Sequence, residues 1–175
     1  MKPVEILGVH VDPTSGATVV LLGENELTTR VLPIFVGPVE AQAIAIGLQQ
    51  LVLPRPGTHD LIVEVLEQLG ARVTMVVVTE LKDGTFYAEL EISDPAKTHR
   101  VSVRPSDGFA LATRAGVPVQ VDTAVFDAAS VEVVRTPDEP FEQEEIESIV
   151  DQFRDFLAET DPEGFSDPDP PSPPS

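Results

Sequence analysis

Cysteine and tryptophan are both missing from the 175 residues. Without cysteine the chain can form no disulfide, no thiolate nucleophile and no cysteine-ligated zinc site. A reducing compartment suits such a composition. Aromatic residues make up 5%, so Val, Leu, Ile and Ala must supply most of a core drawn from 42% hydrophobic residues. Bases are also scarce: 11 Lys and Arg stand against 30 Asp and Glu, for a net charge of −19. Such a balance argues against binding phosphate backbones through a broad basic surface. No run of 18 apolar residues occurs, so no membrane-spanning helix is expected. Residues 1–11 lack the long apolar stretch of a secretory signal, and a cytoplasmic location is expected.

The charge is unevenly placed. Residues 132–175 hold 14 acids and 2 bases, a balance of −12, against −7 for residues 1–131. The length suits one domain with an appendage. Strands are expected over 4–11, 17–22 and 28–36, the first two joined by the turn Asp12-Pro13-Thr14-Ser15-Gly16. Gly37-Pro38 suits a helix start, and a largely apolar helix should run to about Leu51. Thr58 is the expected N-cap of a second helix to Leu69, with Leu61, Ile62, Val65, Leu66 and Leu69 on a 3.6-residue stripe. A buried strand over 71–81, the hairpin signal Lys82-Asp83-Gly84 and an alternating strand over 85–92 follow. Further expectations are a strand near 98–103, a third helix to Ala115 stopped by Gly116, a short strand at 118–121 and a brief helix or turn at 123–129. Residues 141–158 read as an acidic amphipathic helix, and the Pro-, Asp- and Ser-rich end from Asp161 as disordered. The fold class is therefore α+β, with a mixed or antiparallel sheet, three main helices and an acidic C-terminal helix.

Four segments in order carry a family resemblance: Leu32-Pro33-Ile34-Phe35-Val36-Gly37-Pro38-Val39-Glu40-Ala41, Arg55-Pro56-Gly57-Thr58-His59-Asp60-Leu61, Lys82-Asp83-Gly84-Thr85-Phe86-Tyr87-Ala88 and Val103-Arg104-Pro105-Ser106-Asp107. Over roughly residues 4–130 the chain resembles the bifunctional nuclease (DNase/RNase) family. That resemblance implies a mixed α/β domain, a homodimer, and degradation of DNA and RNA. With the change of composition near residue 132, it divides the chain into a nuclease-like domain at 1–131, a linker at 132–140, an acidic helix at 141–160 and a tail at 161–175. Gly108-Phe109, where the family carries a small-aliphatic pair, and Gly57, where it carries a larger residue, depart from the pattern and bear on local helix packing.

Physically, the Arg55-Pro56 and Arg104-Pro105 motifs share a plan: Arg-Pro, a hydroxyl residue, then Asp at a helix start. Helix initiation alone accounts for it, since Pro fixes φ, the hydroxyl caps and Asp complements the dipole. The functional reading is that both starts converge on one site. There His59, Asp60, Arg104 and Asp107 would be catalytic, and Arg55, Thr58, Lys82 and Ser106 would contact substrate. His59 exchanges protons near neutrality and could accept the 2′-hydroxyl proton of RNA, whereas DNA needs an activated water. A Mg²⁺ or Mn²⁺ ion on Glu40, Asp83 and Glu89, with Asp60 and Asp107 as further candidates, would activate it. No organic cofactor is expected. His10 and His99, in strands without partner motifs, read as structural or surface residues, and the hairpin at Lys82 reads chiefly as a turn. The other functional class is a non-catalytic oligomeric module in which the shared segments maintain fold and dimer contacts. The acidic end suggests a solubilising arm or an autoinhibitory mimic of nucleic acid.

Overall fold

The computed structural model describes residues 1–24, 29–133 and 140–160. Thr28, expected to open a strand, most of the expected linker and the tail from Asp161 lie outside the described residues. An eight-stranded mixed sheet forms the frame, with strand order β6-β5-β4-β7-β1-β2-β3-β8. Its strands are β1 (Lys2–Val11), β2 (Thr18–Gly23), β3 (Arg30–Val36), β4 (Arg72–Lys82), β5 (Thr85–Ser93), β6 (Thr98–Val103), β7 (Val119–Val121) and β8 (Val131–Glu132). The helices are α1 (Pro38–Leu48), α2 (Thr58–Gln68), α3 (Pro105–Ala115), α4 (Thr123–Ala129) and α5 (Gln143–Thr160). Among the described residues only β4 and β7 pair in parallel; the other ladders are antiparallel. This is the α+β class, with a mixed sheet.

Local chemistry explains several joins. Asp12 is buried within the β1–β2 turn, where its carboxylate accepts the Thr14 and Ser15 N–H groups at 3.2 and 3.1 Å and the Ser15 hydroxyl. Asp83 and Gly84 have φ of +50° and +70°, the geometry a two-residue hairpin turn requires. Gly116 closes α3 in the left-handed region, φ +64°, as a helix-stopping glycine does.

β2 alternates between two cores, because successive strand residues face opposite sides. Val20 and Leu22 join Leu32, Ile34, Phe109 and Phe126 in the main core. Val19 and Leu21 face Ile146, Ile149 and Val150 of α5 on the other side. α5 then delivers Phe153 and Leu157 to the main core. The acidic helix is thus packed against the sheet through an apolar stripe, with its carboxylates outward.

Three local expectations are corrected. α1 ends at Leu48 rather than near Leu51, because Gln50 takes φ +51° and breaks the helix. Its fully buried residues, Ala41, Ile44 and Gly47, share one face. Gly57, not Thr58, is the N-cap of α2, and Thr58 is the first helical residue. The stripe on α2 also splits: Val63 and Leu66 pack on the core, while Leu61, Ile62, Val65 and Leu69 stay exposed.

Candidate functional site

Three helices begin close to one another. Pro38 and Pro105 occupy the first turns of α1 and α3, where a missing N–H costs nothing. At the start of α2, the Asp60 carboxylate reaches back 2.8 Å to the Gly57 N–H, one half of a capping box. These starts carry Glu40, His59 with Asp60, and Arg104 with Asp107, respectively.

Arg104 is the junction. Its Nε and Nη2 donate to the two oxygens of Asp107 at 2.7 and 3.2 Å, and its Nη1 donates to Glu40 Oε1 at 3.1 Å. His59 Nε2 lies 3.4 Å from Asp107 Oδ1. A proton on Nε2 would leave Nδ1 with a lone pair. The Arg104 guanidinium holds the Asp107 carboxyl below the ordinary carboxylate range, against the opposing effect of partial burial, and His59 adds to the lowering. Asp107 first, and Glu40 second, push the Arg104 pKa upward. Three of the five guanidinium N–H groups are committed, leaving two donors for an anion.

A second ion pair stabilises this arrangement from beneath. Arg114, with a side chain 9% exposed, donates from Nε to Asp60 Oδ1 at 2.7 Å. Its Nη1 also donates to the carbonyls of Ala43 and Ala110, each at 2.8 Å. One side chain of α3 thereby ties α1 and α2 to its own helix. Arg114 lies outside the four sequence segments that carry the family resemblance. Its signal was the spacing: it follows Asp107 by seven residues, two helical turns along the same face.

Of the residues singled out from sequence, His59, Arg104, Asp107 and Glu40 form one connected chain, and Asp60 stands next to it on Arg114. Ser106 is buried, and with Arg104 and Glu40 it lines a cavity of about 300 Å³. Thr58 is exposed on the first turn of α2. Arg55 is exposed in the connection before α2 and has no ion pair among the described residues. Lys82 and Asp83 are exposed at the hairpin whose Gly84 and Thr85 line the same cavity. Glu89 instead faces Arg100 across β5 and β6, at 4.0 Å. Among the described residues no three His, Asp or Glu side chains are placed to hold a metal ion, so Glu40, Asp83 and Glu89 do not make a ready-built metal site. His99 pairs with Asp94 at 2.5 Å. His10 Nε2 is buried with no hydrogen-bond partner among the described residues, and its ring meets Phe141 edge-on.

Residues 19–134 match the family model described as the bifunctional nuclease domain. The chain belongs to this family. A Mycobacterium tuberculosis (strain ATCC 25618 / H37Rv) protein described as uncharacterized is 39% identical over 94% of this chain and 98% of its own length. Bifunctional nuclease 1 of Oryza sativa subsp. indica is 29% identical over 63% of this chain and 34% of its own. Bifunctional nuclease 2 of Arabidopsis thaliana is 26% identical over 65% of this chain and 38% of its own. This chain therefore spans little more than a third of these plant relatives. All three helix starts of the site lie inside the family domain, whereas α5 lies outside it. Among the described residues no helix is long and apolar enough to cross a membrane.

Proposed function

We propose that this chain is a nuclease that cleaves phosphodiester bonds of DNA and RNA at the junction of α1, α2 and α3. The observation that carries the reading is the unbroken sequence of contacts from His59 through Asp107 and Arg104 to Glu40. In this reading the two remaining Arg104 donors hold a phosphate oxygen. Asp107 fixes the His59 tautomer, and the Nδ1 lone pair accepts the 2′-hydroxyl proton of RNA. The 2′-oxygen attacks phosphorus to form a 2′,3′-cyclic phosphate, and the 5′-oxygen departs as the alcohol, taking a proton from water. Asp60 positions His59 by anchoring the first turn of α2. Arg55, Thr58, Lys82 and Ser106 are the surrounding substrate contacts. DNA needs an activated water. For a Mg²⁺ or Mn²⁺ ion this chain would supply Glu40 and Asp107, and substrate oxygens would have to complete the coordination. A cysteine-free chain fits action in the cytoplasm.

Cleavage of single-stranded RNA and DNA by the wild type and by His59→Ala, Arg104→Ala and Asp107→Asn, in Mg²⁺, Mn²⁺ or EDTA, tests the proposal. RNA cleavage by His59→Ala should fall by at least about a hundredfold, the lower end for loss of a general base, with thermal melting intact. Equal activity in all three folded variants would remove the site.

A second reading, a homodimeric module, is favoured by one observation. Leu61, Ile62, Val65 and Leu69 form an apolar strip on the outer side of α2, with Leu69 75% exposed. Exposed apolar patches of this kind mark interaction surfaces. A second copy fits because the strip is self-complementary: two α2 helices packed antiparallel about a two-fold axis bury it on both sides. Val65→Glu should convert a sedimenting dimer to monomer. A wild type that sediments as a monomer at high concentration would end that reading.

A further inference from the structure

The cavity next to Arg104 has a floor that the phosphate chemistry leaves unused. Its volume is about 300 Å³, at the small end of ligand pockets and suited to one ring system rather than a large ligand. Phe35, Phe86 and Phe153 line it together with Leu157, while Arg104 and Glu40 stand on its polar side. The rings form a connected group: Phe153 lies 5.5 Å from Phe35 and 6.0 Å from Phe86 between centroids, the latter pair stacked at 21°. The whole chain has 8 Phe, 1 Tyr and no Trp, so three of nine aromatic residues border one small cavity. Two of its lining residues, Phe153 and Leu157, come from α5, outside the matched family domain.

We propose that this cavity is a nucleobase subsite, seating the base of the nucleotide whose phosphate lies against Arg104. The proposal rests on the nuclease reading for the phosphate position, but not for the base. Aromatic faces stack any base, and the guanidinium on the polar side recognises the attached phosphate rather than the base. Phe86 and Phe35 are the stacking candidates, since both are partly exposed whereas Phe153 is fully buried behind them. Because α5 supplies a wall, base binding would be a property of this longer chain and not of the family domain alone.

The test uses the full-length wild-type protein and nuclear magnetic resonance of its phenylalanine rings. Titration with adenosine 5′-monophosphate should shift the Phe35, Phe86 and Phe153 resonances together and saturably. Adenosine should shift the same rings more weakly, and ribose 5-phosphate should leave them unmoved. Phe86→Trp, in a chain with no other tryptophan, should show saturable fluorescence quenching by adenosine 5′-monophosphate. Phe86→Ala should bind it between about fivefold and a hundredfold more weakly, the range for loss of one base–aromatic stack. Rings indifferent to the nucleotide at millimolar concentrations, or equally moved by ribose 5-phosphate, would overturn the proposal. Ring shifts alongside undiminished nucleic-acid cleavage in Arg104→Ala and His59→Ala would sink the nuclease site while leaving the base subsite standing. Lost cleavage with silent rings would do the reverse.

Discussion

Replacing Arg114 with methionine keeps most of the apolar stem and removes the guanidinium, so its effect isolates the tie between α2 and α3. Three hydrogen bonds disappear. Two are to carbonyls in helical segments, and the Ala110 carbonyl keeps the Thr113 hydroxyl at 3.1 Å, so their loss is inexpensive. The bond to Asp60 dominates. A hydrogen bond to a charged group contributes about 1.5–3 kcal/mol. Asp60 is 33% exposed, so water recovers part of this, and a cost of about 2 kcal/mol is expected. For a chain of this size that corresponds to a melting temperature lower by roughly 4–8 °C. The loss should be felt locally as well. α2 has no fully buried residue, so it should open more readily, and amide exchange over residues 58–68 should accelerate. Urea denaturation gives the global term and amide exchange the local one. A double-mutant cycle with Asp60→Asn should show coupling of about 1–2 kcal/mol. Stability within about 0.5 kcal/mol of wild type, with unchanged exchange in α2, would refute Arg114 as the tether.

Other consequences follow from single residues. Asp94 is held at a pKa of about 2, below the ordinary 3.8, first by its hydrogen bond with His99 and then by the Lys97 and Ala96 N–H groups. A depressed carboxyl stabilises the turn above its ordinary pKa and loses that effect as pH falls through about 2. A carboxyl titration midpoint near 3.8 would contradict these contacts. Gly108 admits α3 close to β4: an added Cβ would stand 2.8 Å from Val76 Cγ1. Gly108→Ala should therefore cost about 1–3 kcal/mol in urea unfolding, and an unchanged midpoint would show that the helix shifts freely. Binding of single-stranded nucleic acid should depend shallowly on salt. With Arg55, Lys82 and Arg104 as the available bases, the logarithmic slope should be no steeper than about −2; a slope near −6 would require a cationic surface elsewhere. Removal of residues 140–175 should unfold or severely destabilise the chain, because Val19, Leu21 and Val31 would lose their cover. A cooperative, near-wild-type melt of the truncated chain would contradict that packing.

Strands and hairpins were legible because their information is local. Alternation marks β5, Asp-Gly marks its turn, and Gly116 marks the end of α3. What each surface faces was less legible. The stripe on α2 has the right period, but periodicity does not say which neighbour covers it; the main core takes the side bearing Val63 and Leu66, leaving Leu61 and Val65 outward. β8 escaped notice because two residues, Val131 and Glu132, carry no periodicity at all. They become a strand only through pairing with Arg30 and Val31. α5 was visible as an amphipathic helix, but its role in two cores depends on how β2 alternates underneath it.

In the site, Arg104 and Asp107 were legible as a pair, being three residues apart at a helix start. Convergence with His59 is tertiary, and the repeated Arg-Pro plan gave its only local hint. The two arginines of the repeated motif nonetheless part company: Arg104 is the junction of the cluster, whereas Arg55 stays exposed before α2. Glu40, a candidate metal ligand by its charge, accepts a hydrogen bond from Arg104. Glu40, Asp60 and Asp107 oppose Arg104 and Arg114, so the cluster carries −1 with His59 neutral and no net charge with His59 protonated. Phosphate would then be drawn less by a cationic field than by two oriented guanidinium donors. An acidic chain can accommodate a polyanion on those terms, because directed hydrogen bonds at one junction do not require a basic surface around it.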